Sequence, residues 1–278
     1  MKRRALLCNL LALGCLPAWM GVVHARPTIF RIGVAPHSSA RVILQMYQPL
    51  RVFLESILQR PVAVVTAADF TEFARRALQG EYDLAITTGH QAQLLASDAA
   101  YLPLLTYAAD FRAVVVVPEN KAYRHPRDLA GATVVGLSQS SLVTIWGQHW
   151  LHRNQVENVQ LRYVSASDSA VQLVLNGEAS AALISLANFQ GLKPEVRAGL
   201  RVFEESLPMA GRVYMLSPRH AGLQQTLLDA LWAFARTPEA EAYFKQYKLQ
   251  GYRALYPREL FAMAPYANEV RQALQEKP

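Results

Sequence analysis

Residues 28–87 carry a fixed order of short patterns: TIFRIGVA (28–35), RVILQMYQPLRVFLESIL (41–58), PVAVVT (61–66), DFTEFARRAL (69–78) and YDLAIT (82–87). The first, third and fifth are short apolar runs rich in β-branched residues, the composition of buried strands. The second places apolar residues at 43, 46, 47, 50, 53, 54 and 57, which is one face of a helix. In the fourth, Asp69 stands where an N-cap belongs. Strand, helix, strand, helix, strand with short connections predicts parallel strands covered by helices on both faces.

The pattern then restarts. Arg112 to Pro118 is almost pure valine and predicts a buried strand. Asp128 to Gly131 reads as a turn, followed by strand 133–137, helix 142–153, strand 159–164, helix 169–176 and strand 179–184. Residues 212–216 predict another strand, and two or three helices fill the chain from Leu223 onward. No linker separates the halves. The expected architecture is therefore α/β with two hinged lobes, between which the chain crosses twice: residues 26–112 with 213–278 in one lobe, 113–212 in the other. A cleft between hinged lobes is where a small ligand is buried.

The N-terminus points outside the cytoplasm. Lys2, Arg3 and Arg4 precede an apolar run from Ala5 to Val23, closed by small residues at Val23 and Ala25, as signal peptidase requires. Asn9, Gly14, Pro17 and Gly21 interrupt that run, which argues against a permanent span. Residues 1–25 read as a cleaved signal peptide, giving Arg26 as the mature N-terminus and a periplasmic location. The competing reading is a lipoprotein box at Leu13-Gly14-Cys15, disfavoured by Ala12 where a bulky aliphatic is preferred. Both cysteines, Cys8 and Cys15, lie in this segment, so the mature chain has no thiol for a disulfide, a nucleophile or a metal cluster.

Removing the segment lowers the net charge from +7 to +4. Arg75-Arg76 is the longest basic run that remains, too little for nucleic acid, so the excess serves solubility and attraction of an anion. Gly136-Leu137-Ser138-Gln139-Ser140 has Ser where a nucleophile elbow needs Gly, and no phosphate-cradling glycine loop is present. His149 and His152 share a helix face without a third ligand, and read as residues beside core Trp146 and Trp150 rather than a metal site. Neither catalysis nor a cofactor is expected.

Several motifs together resemble a known family. Phe30 to Pro36, Tyr47-Gln48-Pro49-Leu50 with Phe53-Leu54-Glu55, Thr66 to Phe70, Gly80 to Ala85, Asp128 to Gly131 and Val174 to Ala179 are similar, in order and spacing, to the phosphate/phosphite/phosphonate-binding proteins of ABC importers. The resemblance runs to about residue 218 and implies the type II periplasmic binding protein fold. It also implies a small anionic ligand and an ABC permease as partner. A protein of the same fold could instead present its ligand to a membrane sensor kinase. The expected working form is a monomer.

The resemblance places an anion at the N-terminus of helix 142–153, among Ser138, Ser140, Ser141 and Thr144. Unpaired N–H groups and the positive helix end attract an oxyanion there. Ser140 or Ser141 could equally serve as a simple N-cap. Further contacts are implied from His37 and Ser38 after the first strand, Thr87, Thr88 and His90 after the third, and from Tyr47, Phe70, Ser167 and Asp168. His90 also fits a capping or surface role. Phe70 stands where phosphonate binders commonly carry tyrosine, and Ser167-Asp168 where relatives carry histidine. At Ala187 and Ala210, relatives that bind aminoalkyl-phosphonates carry acids. A buried ammonium would find no partner here, so an aminoalkyl-phosphonate is disfavoured.

Overall fold

The computed structural model describes residues 28–275. The signal-peptide reading and Cys15 lie outside them. Two sheets organise the chain.

The first sheet begins as the quoted stretch predicts. Strand β1 (Phe30–Val34) leads into helix α1 (Ala40–Leu58), β2 (Val62–Thr66), α2 (Phe70–Leu78) and β3 (Leu84–Thr88). Pairing of β1 with β2 and with β3 is parallel. The Asp69 carboxylate accepts from the Glu72 N–H at 2.9 Å, the cap expected of it. Helix α1 turns Ile43, Met46, Tyr47, Leu50 and Leu54 inward, which is the apolar face of its periodicity.

Two elements then appear that the patterning does not reveal. Helix α3 (Gly89–Ala99) starts directly at the end of β3, and β4 (Leu102–Tyr107) follows it. Residues 87–90 are thus a strand end and a helix start rather than a free turn. Gly89 permits this because a side chain there would come within 2.8 Å of the Ala210 carbonyl oxygen.

The chain crosses at residues 108–112 into β5 (Ala113–Pro118). The second sheet adds β6 (Thr133–Gly136), α4 (Leu142–Arg153), β7 (Gln160–Tyr163), α5 (Ser167–Leu175) and β8 (Ala181–Ser185). Short helices α6 (Leu186–Gly191) and α7 (Pro194–Ala198) precede β9 (Leu200–Glu205), a strand the sequence reading also lacks. The return crossing, 206–211, leads to β10 (Arg212–Leu216), then α8 (Gln224–Phe234), α9 (Pro238–Gln246), β11 (Tyr252–Arg253) and α10 (Ala264–Gln275).

Strand order is β11-β4-β10-β3-β1-β2 in the first sheet and β7-β6-β8-β5-β9 in the second. Both are mixed. β10 runs antiparallel to β3 and β4, and β5 antiparallel to β8 and β9. Return strands arriving from the other sheet need not obey the parallel rule of a βαβ unit. The two crossings lie side by side: the Met209 N–H donates to the Phe111 carbonyl at 2.9 Å, and the Ser206 N–H to that of Ala113 at 2.9 Å.

Helix α10 packs on α2, α3 and α4, so that Ile145 of α4 shares one apolar cluster with Ala74, Leu94, Ala267 and Val270. The C-terminal helix therefore touches elements from both sides of the seam. No helix among the described residues is long and apolar enough to cross a membrane.

Candidate functional site

The start of α4 is built from β-hydroxyl chemistry. Ser141 caps the helix, its Oγ accepting from the Thr144 N–H at 3.4 Å and donating to Thr144 Oγ1 at 2.8 Å. Thr144 Oγ1 also accepts from the Leu137 N–H at 2.9 Å, which ties the β6–α4 loop down. Gly136 is required beneath it, because a side chain there would meet Thr144 Oγ1 at 2.6 Å. Ser140 faces the other way. Its Oγ lies 2.7 Å from Thr71 Oγ1 of α2, and its carbonyl accepts from His90 Nε2 at 2.9 Å. Ser140 thus closes the seam between the two sheets, with the Ser138 hydroxyl 3.5 Å away.

His90 is fully buried, which pushes its pKa down to about 4. With Nε2–H donated to Ser140, Nδ1 is the acceptor for the Thr88 hydroxyl at 3.1 Å. His90 is a neutral bridge across the seam, not a surface or capping residue.

His37 begins the opposite wall. Its Nδ1–H donates to the Ala35 carbonyl at 2.9 Å, leaving Nε2 to accept from Arg212 at 2.7 Å. Burial, reinforced by the Arg212 charge, pushes its pKa down to about 3. Arg212 opens β10. It also approaches the Tyr47 hydroxyl at 3.5 Å and stands over the Tyr107 ring, 5.1 Å from its centroid. Among the described residues it forms no ion pair with any carboxylate.

These groups border two cavities. The larger, of about 350 Å³, is walled by His37, Ser38, Ser39, Val42, Met46 and Arg212 on one side, and by Ala166, Ser167, Asp168, Ala187, Asn188 and Gly191 on the other. Residues 246–248, at the end of α9, complete its rim. The smaller, of about 40 Å³, lies at the N-terminus of α4. Phe70, Phe111, Leu137, Leu142 and Val143 wall it, with His37, Thr88, Ser141, Ser185 and Asn188 at its polar edges. His37 and Asn188 belong to both. A concavity of about 570 Å³ takes its walls from residues 235–251 alone, the α8–α9 connection, α9 and the segment after it, so its polar groups come from one stretch of chain rather than from both sheets.

Of the expected site residues, His37, Ser38, Ser167 and Asp168 meet in the larger cavity, and Phe70, Thr88 and Ser141 in the smaller. Tyr47, Thr87, His90, Ser138, Ser140 and Thr144 line neither. The Tyr47 hydroxyl sits behind Arg212, and the Thr87 hydroxyl donates to Gln91 Oε1 at 2.7 Å. Ser167 Oγ accepts from Asn188 Nδ2 at 2.6 Å. Asp168 is exposed in the first turn of α5, where a carboxylate suits the helix end. Ala187 does line the larger cavity, whereas Ala210 is buried against Leu142 and Met263. Ser39 belongs to the turn expected at the cleft, whereas Arg212 and Asn188 are the residues sequence reasoning missed. The available signal was an arginine opening a strand at the return crossing, beside the cleft. His149 pairs instead with Glu269 at 3.2 Å and stacks on Tyr266, and no group of three or more metal-binding side chains occurs among the described residues.

Comparisons with known proteins agree with this architecture. A family profile described as "ABC transporter, phosphonate, periplasmic substrate-binding protein" matches residues 32–260. No curated protein matches. Among solved structures, PhnD1 from Prochlorococcus marinus in complex with methylphosphonate aligns with TM-score 0.77 and 11% identity, covering 88% of this chain and 98% of its own. A binding protein component of an ABC phosphonate transporter from Pseudomonas aeruginosa gives 0.73 and 14%, covering 90% and 94%. XAC2383 from Xanthomonas citri bound to chloride gives 0.74 and 18%, covering 88% and 99%. At these identities the structural likenesses establish the fold, that of type II periplasmic binding proteins. With a family match spanning most of its length, the chain belongs to the periplasmic substrate-binding proteins of ABC phosphonate transporters.

Proposed function

We propose that this protein captures a small oxyanion of the phosphate, phosphite or phosphonate type in the cleft between its sheets and delivers it to an ABC permease. One observation carries the reading: polar side chains from both sheets converge on one cavity that contains a guanidinium without a carboxylate partner. Such convergence is what a hinged binding protein needs, because a ligand touching both walls favours the closed form. The lobes are residues 26–112 with 213–278, and 113–212. The paired crossings, 108–112 and 206–211, are the elements about which they rotate. An aminoalkyl substituent would find only Asp168, at the exposed rim, as a partner for its ammonium. Export removes residues 1–25, and intact-mass measurement of the periplasmic protein should show Arg26 as its first residue. A lipidated Cys15 species would contradict this.

The α4 start contributes through closure. Replacing Ser140 and Ser141 together with alanine removes the Thr71 contact across the seam and the cap of α4, and should weaken binding by about 1–3 kcal/mol. Titration calorimetry of the double variant measures this, and unchanged affinity would sink the assignment. Transport itself is tested in cells: deletion of the gene should abolish uptake of the bound oxyanion. Retained uptake with lost oxyanion-dependent gene expression would indicate a sensor instead.

A further inference from the structure

We propose that Arg212, rather than the α4 N-terminus, seats the charged group of the ligand, and that the ligand is an organic oxyanion with a body larger than a phosphate ion. This rests on the reading of the cleft as a ligand-capture site and goes further by naming the seat and the substrate class.

The first argument is the state of the guanidinium. All side-chain hydrogen bonds of Arg212 to the described residues run through Nη1, to His37, Tyr47 and Met46. Nε and Nη2 are left without a protein acceptor, and one edge of a planar fork suited to a phosphonate or carboxylate stays free. A cation withdrawn from water needs compensation. Here it comes from neutral groups. Tyr107 lies beneath the guanidinium, and its hydroxyl joins those of Tyr47, Tyr214 and Tyr243 in one buried network, extended to Tyr252 through Tyr214 at 2.8 Å. Burial pushes the Tyr107, Tyr214 and Tyr243 hydroxyls well above the usual phenol range, so they remain uncharged. The nest stabilises the cation by dipoles and a ring face without neutralising it. His37, fixed as an acceptor, orients Nη1 and adds no competing anion.

The second argument is space. The cavity holding Arg212, at about 350 Å³, falls in the range of small-molecule sites, roughly 300–1,000 Å³. The cavity at α4 measures only about 40 Å³ and its walls are mainly aromatic and aliphatic. A charged head on Arg212 leaves room for an organic body against Val42, Met46 and Ala187, with Ser38, Ser167 and Asn188 able to meet polar substituents.

The test is titration calorimetry of phenylphosphonate and inorganic phosphate into the mature protein and into Arg212→Gln, Arg212→Lys, Val42→Glu and the Ser140→Ala/Ser141→Ala double variant. Phenylphosphonate should bind at least about tenfold tighter than phosphate, since only its ring adds apolar contact. Arg212→Gln should lose about a hundredfold or more, and Arg212→Lys should recover part of that, a point charge lacking the fork. Val42→Glu guards against a folding defect in the arginine variants. Val42 is exposed near the start of α1, where a carboxylate suits the helix, and an acid there should repel the anion and also lower affinity. Phenylphosphonate affinity within threefold of wild type in Arg212→Gln would overturn the inference. So would a preference for phosphate lost only in the serine variant, which would leave the capture reading intact. Wild-type protein that binds neither probe would count against both.

Discussion

Replacing Gly33 with alanine should destabilise the protein by about 3 kcal/mol, the upper range for overpacking a filled core. Gly33 lies in the middle of β1, between β2 and β3. A methyl group there would fall within 2.6 Å of ring atoms of Tyr82. That ring has no room to yield. It is 1% exposed and stacks on Phe73 with centroids 5.1 Å apart. For a chain of this size the loss corresponds to a fall of roughly 6–12 °C in Tm. Adding Tyr82→Ala should recover part of the stability of Gly33→Ala, although alone it would be strongly destabilising, because the two changes compete for the same space. Calorimetric melting of the four proteins gives the coupling. Simple additivity would show that the ring moves aside and that β1 tolerates a side chain there.

The second large effect is acid destabilisation, and it begins well above the carboxylate range. His37 and His90 are held neutral in the fold, with pKa values pushed down to about 3 and about 4. In the unfolded chain each would take up a proton near its ordinary value of about 6.5. Between those limits the unfolded state binds more protons, so stability rises with pH and is lost as pH falls below about 6.5. Each histidine contributes up to about 1.4 kcal/mol per pH unit in that window. Buried Asp83, held by the Arg31 N–H, His220 and Arg219, has its pKa lowered, so its contribution is lost only at more acidic pH. Denaturant unfolding between pH 7 and pH 4 should show a steep loss, and His90→Gln should flatten it. An unchanged slope in that variant would mean that His90 takes up a proton without leaving its seam contact with Ser140.

The sequence carried the fold where local signals and tertiary context agree. Helix α4 begins at Leu142 and ends at Arg153, and β10 spans Arg212 to Leu216, as the patterning predicts, because Ser141 caps the one and unbroken burial from Val213 to Leu216 marks the other. Strand β4 hid behind Pro103, which lowers strand propensity. Helix α3 hid for a different reason. Gly89 to Ala92, Leu94 and Leu95 are all buried between the sheet and neighbouring helices, so no polar stripe reveals its period. Strand β9 is an edge strand with only Leu200 buried, and its mixture of Arg and Glu reads as a loop.

The site was legible in outline. His37, Ser38, Ser167 and Asp168 were expected at the cleft and line its larger cavity. The serines before α4 were expected to face a ligand, yet Ser140 bonds to Thr71 and His90 instead, a partnership between residues 50 and 69 positions apart that no local pattern encodes. Arg212 was invisible for the same reason. Its significance comes from five tyrosines distributed between Tyr47 and Tyr252, whose hydroxyls meet only after the first sheet and the helices packed on it have assembled.

The most direct test of the central claim, that the cleft between the sheets captures a phosphonate-type oxyanion, is the melting temperature of the purified protein with and without methylphosphonate. Ligand that binds only the folded state at a hundred times its Kd adds about 2.7 kcal/mol, a rise of roughly 5–10 °C for a chain of this size. The account predicts such a rise with methylphosphonate and none with choline, a cation of similar bulk. A Tm that stays fixed across millimolar methylphosphonate, phosphite and phosphate, or that rises with the cation alone, would contradict it.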